Sequence, residues 1–94
     1  MERLNETEIK EALRILPDWS YEEGSITKIF NFKNFKQTFA FMTRVAFECE
    51  LQGHHPDWEN VYNRLTIRLN THDAQGITKK DFDLAHTIEN LFNS

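Results

Sequence analysis

The sequence has few residues that could crosslink, break or anchor the chain. Its 94 residues include one cysteine, two prolines and three glycines, and nowhere do the roughly 20 consecutive apolar residues of a membrane-spanning helix occur. The single cysteine, Cys49, cannot form an internal disulfide, which is typical of a reducing compartment. Residues 1–10 are polar and acidic and lack the apolar run of a signal peptide. We therefore expect a cytoplasmic protein without membrane spans.

An excess of basic residues is also missing. Eleven Lys and Arg residues stand against fifteen Asp and Glu, the formal net charge is −4, and charges of both signs are scattered along the chain. Because duplex binding depends on basic side chains that neutralise phosphates, we expect no direct nucleic-acid binding.

Aromatic residues are plentiful, with eight Phe, two Trp and two Tyr to fill a core. The chain is expected to form a single domain, residues 1–94.

Apolar residues at helical spacing predict three helices. The first covers residues 5–16 and ends before Pro17, the second covers 34–52 and ends at Gly53, and the third begins at Thr78 and covers the remaining apolar pattern to Phe92. Asn5 with Glu8, and Thr78 with Asp81, match the capping box that begins a helix.

Alternating apolar residues predict two hairpins around the second helix. In the first, Ile26, Lys28, Phe30 and Phe32 share a face; in the second, Val61, Leu65, Ile67 and Leu69 do so, with Asn63-Arg64 as a turn or bulge. The order is α-β-β-α-β-β-α, which favours an α+β fold in which helices pack on one face of a four-stranded antiparallel sheet. Its exposed sheet edges would favour a homo-oligomer, either a homodimer or a homotetramer.

Three of the four histidines fall in loops or at the ends of predicted elements. His54 and His55 follow the second helix and His72 follows the last strand, whereas His86 lies inside the third helix. Imidazole has an unperturbed pKa of about 6.5, so it can donate and accept protons near neutrality. Glu50 precedes His54 by one helical turn, and we expect its carboxylate to orient that imidazole and favour its protonated form. Together these residues indicate an acid–base site.

Ordinary structural interpretations remain open for each residue alone. Glu50 could be a solvated helix residue, His54 and His72 surface loop residues, and Asp81 a helix cap. A zinc site is the chemical competitor, because Glu50 and the three loop histidines are ligand types that zinc accepts. Adjacent histidines in an extended segment point to opposite sides, however, and no His-Glu-x-x-His or paired Cys-x-x-Cys motif occurs, so we expect no metal. Cys49 lies on an apolar helical stripe and is interpreted as a core residue.

The spacing of these residues resembles a known signature. Glu50-Leu-Gln-Gly-His54-His55-Pro56, followed at fixed intervals by Tyr62, His72 and Asp81, is similar to the motif of the pterin-4a-carbinolamine dehydratase family. The stretch from Trp58 to Arg64 and the loop Thr71-His72-Asp73 also resemble that family. The similarity covers roughly Phe39 to Leu91, and the order of elements agrees with it.

The resemblance implies a hydro-lyase, 4a-hydroxytetrahydrobiopterin dehydratase. Such an enzyme removes water from the pterin left by an aromatic amino acid hydroxylase and forms the quinonoid dihydropterin, a step in tetrahydrobiopterin recycling. It implies a small-molecule pterin substrate and no cofactor. The catalytic residues would be Glu50, His54, His55 and His72. The substrate-binding residues would be His54, His55, Pro56, Trp58, Thr71, His72 and Asp73, and Asp81 would support the adjacent loop through the helix start.

Two other functions stay open. The family also includes a protein that binds and stabilises a dimeric transcription factor, so the chain could instead be a dimerisation cofactor or transcriptional coactivator of the same fold. An exposed apolar stripe on the second helix would favour that alternative. The chain could also serve pterin or molybdopterin metabolism in a cell without an aromatic hydroxylase.

Overall fold

A computed structural model describes residues 2–94 and shows three helices and four strands. In chain order these are α1 (Glu6–Leu13), β1 (Ser20–Glu22), β2 (Ser25–Asn31), α2 (Phe35–Gln52), β3 (Asp57–Val61), β4 (Arg64–Leu69) and α3 (Lys79–Phe92), with a short 3-10 turn at His72–Ala74. The predicted order α-β-β-α-β-β-α is confirmed.

All strands are antiparallel and lie in the order β1-β2-β4-β3. The central pair aligns Ile26 with Leu69, Lys28 with Ile67 and Phe30 with Leu65, so these side chains share one face. That face is buried under the helices together with the inward residues of α2 and α3, among them Phe41, Val45, Cys49, Phe82, Ala85 and Ile88. No helix within residues 2–94 has the length and apolar character needed to cross a membrane.

The helix ends follow from their capping residues. Asn5 and Glu8 form the predicted capping box of α1, and the Asn34 side chain accepts a hydrogen bond from the Gln37 amide to begin α2. Helix α1 ends at Leu13 instead of the predicted residue 16. The chain tightens there into i→i+3 turns, in which the Leu16 amide bonds the Leu13 carbonyl, and this conformation buries Leu16 in the core.

The prediction that Val61 shares a face of the sheet with Leu65, Ile67 and Leu69 is wrong. A two-residue turn at Tyr62 and Asn63 pairs Val61 with Arg64, so Val61 lies on the uncovered face of the sheet and is 53% exposed. The Asn60 side-chain amide holds this turn by donating to the carbonyls of Tyr62 and Arg64. Asn60, opposite Leu65, therefore takes the inward position that the odd-number pattern assigned to Val61.

Lys28 is a charged residue on the buried face of the sheet. Its Nζ lies 2.7 Å from Oε2 of Glu89 on α3, and both side chains are about 90% buried, with relative exposures of 9% and 11%. The same oxygen accepts a 2.9 Å hydrogen bond from the Trp19 indole. Glu89 thus pairs with both buried donors, the Lys28 ammonium on β2 and the Trp19 indole N–H before β1.

Glu89→Ala should be strongly destabilising, because it leaves the Lys28 ammonium buried without a partner. We expect a loss of about 3–5 kcal/mol in the free energy of unfolding, measured by urea denaturation. Glu11→Ala is the matched control, since the Arg14–Glu11 pair is mostly exposed and should be worth less than about 1 kcal/mol. Equal losses in the two variants would contradict a structural role for the buried pair.

Candidate functional site

The end of α2 fixes the backbone of the double-histidine segment. Gly53 adopts the left-handed conformation, with φ of 65°, its amide bonds the Glu50 carbonyl and the His54 amide bonds the Cys49 carbonyl. This pair of bonds is the Schellman motif that commonly ends a helix at a glycine. The chain therefore leaves α2 in a defined direction, and His54 starts the loop as part of the helix cap.

His54 enters a buried hydrogen-bond network centred on Asp81. The His54 Nε2 lies 2.6 Å from Asp81 Oδ1. The other carboxylate oxygen, Oδ2, accepts from the Thr71 hydroxyl at 2.8 Å and from the Thr78 amide at 2.9 Å. Asp81 is fully buried and the His54 side chain is 10% exposed. The carboxylate that caps α3 therefore also binds His54 and, through Thr71, the loop after β4, which we call the second loop.

The prediction that Glu50 orients His54 is wrong. Glu50 Oε2 lies 2.6 Å from Nε2 of His55, while His54 turns to Asp81. Gly53 redirects the chain after the last helical turn, so the one-turn spacing on which the prediction rested no longer applies at His54. Asp81 was predicted only to support the adjacent loop through the helix start. In the structure it also pairs with His54.

The two adjacent histidines have different environments. His55 is 60% exposed and its partner Glu50 is exposed as well, whereas His54 and Asp81 are buried. The expectation that they point to opposite sides agrees with these separate partners. Each imidazole is thus oriented by a carboxylate of its own, one pair shielded from water and the other open to it.

The second loop carries His72 on a short closed turn. The Thr71 amide bonds the Gly76 carbonyl at 2.8 Å, and the 3-10 turn His72–Ala74 lies between them. His72 is exposed and lines a polar hollow of about 260 Å³ beside Ser25 and Asn70. His54 lines a separate hollow of about 210 Å³. The structure joins the two loops through Thr71 and Asp81. His72 and His54 nevertheless line different hollows, which have no lining residue in common.

Two residues that the sequence did not single out also belong to this region. The Asn70 side-chain amide donates to Ser25 Oγ at 3.1 Å and to Asp57 Oδ2 at 3.3 Å, which ties the start of β3 to the end of β4 beside both loops. Lys80 lines the hollow beside His54 and also a hollow of about 170 Å³ beside Thr71 and Asp73. No local sequence pattern marks Asn70, and the position of Lys80 follows only from the start of α3.

The remaining predicted substrate-binding residues lie close by in the chain. Pro56 is half-buried directly after the histidines. Trp58 is half-buried in β3 opposite Ile67, and it packs partly against the core. Asp73 is exposed on the turn that follows Thr71.

Cys49 is buried on α2, as expected from its place on the apolar stripe. Burial raises the pKa of its thiol to about 11, so the thiol is protonated at neutral pH and is a poor nucleophile. Within residues 2–94, no three His, Cys, Asp or Glu side chains are grouped so that they could hold a metal ion. The ionisable groups of this region include the imidazoles, their carboxylate partners, and Lys80, Asp83 and Asp73, which line the hollows beside His54 and Thr71.

Residues 2–91 match the family model described as pterin 4 alpha carbinolamine dehydratase. The chain belongs to the pterin-4a-carbinolamine dehydratase family. A Christiangramia forsetii protein provisionally named pterin-4-alpha-carbinolamine dehydratase is 51% identical over 94 residues, which cover 100% of this chain and 97% of that protein. A Chloroflexus aurantiacus protein with the same provisional name is 50% identical over 91 residues, 97% of this chain and 98% of the relative.

A solved structure has the same fold. The crystal structure of a transcriptional coactivator/pterin dehydratase from Brucella melitensis superposes with a TM-score of 0.93 at 39% identity, covering 96% of this chain and 98% of that one. The family suggested by the double-histidine motif is thus confirmed, and so is its fold.

Replacing Asp81 by Asn in this dehydratase-family chain should cost more than the loss of one hydrogen bond. The amide retains one acceptor oxygen for three donors, and its NH2 group faces groups that also donate. We expect the free energy of unfolding to fall by about 2–4 kcal/mol in urea denaturation. The control is Asp83→Asn on the exposed side of α3, whose pair with Lys79 is open to solvent. A similar small loss in both variants would contradict the central place of Asp81.

Proposed function

We propose that this chain dehydrates a 4a-hydroxytetrahydropterin, such as 4a-hydroxytetrahydrobiopterin, to the quinonoid dihydropterin by histidine acid–base catalysis. The observation that carries the proposal is the pair of adjacent imidazoles with separate carboxylate partners, His54 with Asp81 and His55 with Glu50. The family match and the provisional names of the relatives support the same reaction class. The proposed setting is tetrahydrobiopterin recycling in the cytoplasm.

The reaction needs one proton delivered and one removed. In the substrate, C4a carries a hydroxyl group and is bonded to N5, which carries a hydrogen. When the C4a–O bond breaks, a proton must reach the departing oxygen so that it leaves as water. The N5 lone pair forms the C4a=N5 double bond and N5 loses its proton. A general acid and a general base are therefore sufficient, and no electrons are exchanged with a cofactor.

We propose a role for each ring nitrogen from the hydrogen bond that its imidazole makes. A carboxylate can only accept hydrogen bonds, so Nε2 of each paired imidazole carries a proton. His54 in its neutral form then presents Nδ1 as a proton acceptor, which suits the base for N5. His55 in its protonated form presents Nδ1–H as a donor, which suits the acid for the 4a-hydroxyl. In this proposal, Asp81 and Glu50 are the positioning residues of His54 and His55, respectively.

His72 is proposed to hold the substrate from the second loop, with Thr71 and Asp73 beside it. Pro56 would fix the path of the chain after His55, and Trp58 would offer an aromatic surface to the flat pterin ring. The Thr71–Asp81–His54 connection supports this arrangement, because it holds the second loop against the first. The proposed reaction uses no metal or cofactor.

His55→Ala should slow dehydration sharply, because it removes the proposed acid while leaving the buried network intact. We expect kcat/KM to fall about 10²- to 10⁴-fold, and a similar fall for His54→Ala. The measurement is the decay of carbinolamine absorbance in a phenylalanine hydroxylase reaction, with chelator present throughout.

The control is His86→Ala, which removes a half-buried histidine of α3 outside the proposed site. It should retain the parent rate. A His55→Ala protein as fast as the parent would remove His55 from the acid role, and a parent that never accelerates the decay would overturn the proposed reaction.

A second candidate function rests on the surface of α2. Phe35, Phe39, Phe47 and Leu51 follow one another at multiples of four residues and are all exposed, the last two by 67% and 79%. Residues four apart are neighbours on a helix surface, so Phe35 with Phe39 and Phe47 with Leu51 form two exposed apolar pairs, which Thr43 separates along α2. We call these two pairs the apolar stripe. We propose that a second copy of the chain covers this stripe in a homodimer or homotetramer. The Brucella relative is also called a transcriptional coactivator, so a different protein partner is the competing occupant.

Phe47→Glu should dissociate the proposed oligomer, since a buried carboxylate in an apolar contact is strongly unfavourable. The expected result in sedimentation velocity is a shift from an oligomer to the mass of one chain, 11.2 kDa. Ile15→Glu, at an exposed position after α1, is the matched control and should sediment as the parent does. A parent that is already monomeric would contradict self-association and leave the stripe to another protein.

A further inference from the structure

We propose that Arg3 is a positioning residue for His72. Arg3 and Leu4, which we call the strap, lie against the chain directly after the His72 turn, and no part of the family signature includes them. This inference rests on the proposed function, in which His72 holds the substrate. It adds a residue that acts on the substrate pocket only through the loop.

The strap contacts three consecutive residues of the loop. The Leu4 amide donates to the Ile77 carbonyl at 2.8 Å. The Arg3 guanidinium donates through Nη1 to the Gln75 carbonyl at 3.2 Å. Gln75 has a left-handed backbone with φ of 57°, a conformation that costs free energy in a residue other than glycine. The bond from Arg3 therefore holds the loop where its backbone is least favourable.

Gly76 makes room for the Arg3 side chain. A Cβ atom at residue 76 would lie 2.5 Å from Arg3 Cδ and 2.9 Å from Cγ, both closer than van der Waals contact allows. The aliphatic stem of Arg3 thus lies directly on the Gly76 backbone. Any larger residue at this position would displace the stem and with it the guanidinium bond to Gln75.

The strap completes a set of anchors around His72. On one side of the turn, Thr71 is held by the buried Asp81. On the other side, the Gln75 amide bonds the His72 carbonyl at 3.0 Å, and Gly76 pairs with Thr71. His72 and Asp73 are themselves exposed, so contacts with a core do not fix them. The position of the imidazole therefore depends on these two ends, and Arg3 secures the Gln75 end.

The test compares Arg3→Ala, Gly76→Ala and their combination in the full chain. Arg3→Ala should raise the KM for the carbinolamine about 3- to 10-fold, the effect of one lost hydrogen bond, with kcat changed less than about twofold. Gly76→Ala should produce the same rise by displacing the stem. In the double variant the two effects should not multiply, because a truncated Arg3 no longer clashes with the new methyl group.

Two further variants separate positioning from general stability. Arg3→Lys keeps the stem and one donor, and it should restore most of the parent KM. Arg14→Ala removes an exposed arginine of the same charge after α1 and should leave KM unchanged. A loss of folded protein alone would lower the apparent kcat and leave KM as it was, so the KM rise is the distinguishing result.

Amide hydrogen exchange at Gln75 and Gly76 tests the strap without the reaction. Exchange at both amides should be several-fold faster in Arg3→Ala than in the parent, since the turn opens more often. Unchanged exchange and unchanged KM in both single variants would overturn the proposal. Faster exchange in Arg3→Ala, together with a parent chain that has no dehydratase activity, would overturn the proposed function but keep the strap, so the two failures can be told apart.

Discussion

The arrangement of the site depends on one buried carboxylate. Asp81 is excluded from solvent and satisfies its charge with three donors, the His54 imidazole, the Thr71 hydroxyl and the Thr78 amide. Those donors come from three separate segments, which are the loop after α2, the loop after β4 and the start of α3. Because a buried carboxylate is costly unless all its partners are in place, these segments are held together as a unit.

This constraint makes two neighbouring residues of one type chemically different. His54 is drawn inward to Asp81, while His55 remains at the surface with Glu50. The left-handed Gly53 sets the direction of both, since it ends α2 and turns the chain toward the start of α3. The proposed reaction needs one group that donates a proton and one that accepts a proton, and the separate carboxylates give the two imidazoles separate environments.

The proposed chemistry and the proposed assembly use different residues, although the apolar stripe ends at Leu51, next to Glu50. The paired imidazoles lie where α2, β3, β4 and α3 begin or end, whereas the apolar stripe runs along the outer surface of α2. The buried Lys28–Glu89 pair connects the sheet to α3, the helix that carries Asp81 near its start. The strap contacts the second loop from the N-terminal segment, through Arg3 and Leu4. The loop is therefore held by residues that precede it and, through Asp81, by a residue that follows it.

The helices, the strands and the family are predictable from the amino-acid sequence, because helix caps, hydrophobic periodicity and the double-histidine motif are local patterns. Asn5, Asn34 and Thr78 begin their helices as predicted. The order of helices and strands along the chain follows from the spacing of apolar residues. The partners of the individual side chains, in contrast, follow from the folding of the chain in three dimensions. Glu50 binds His55 and His54 binds Asp81, Val61 lies on the uncovered face, and Arg3 rests on Gly76. These contacts depend on turn geometry and on segments far apart in sequence, whose relative positions no local pattern specifies.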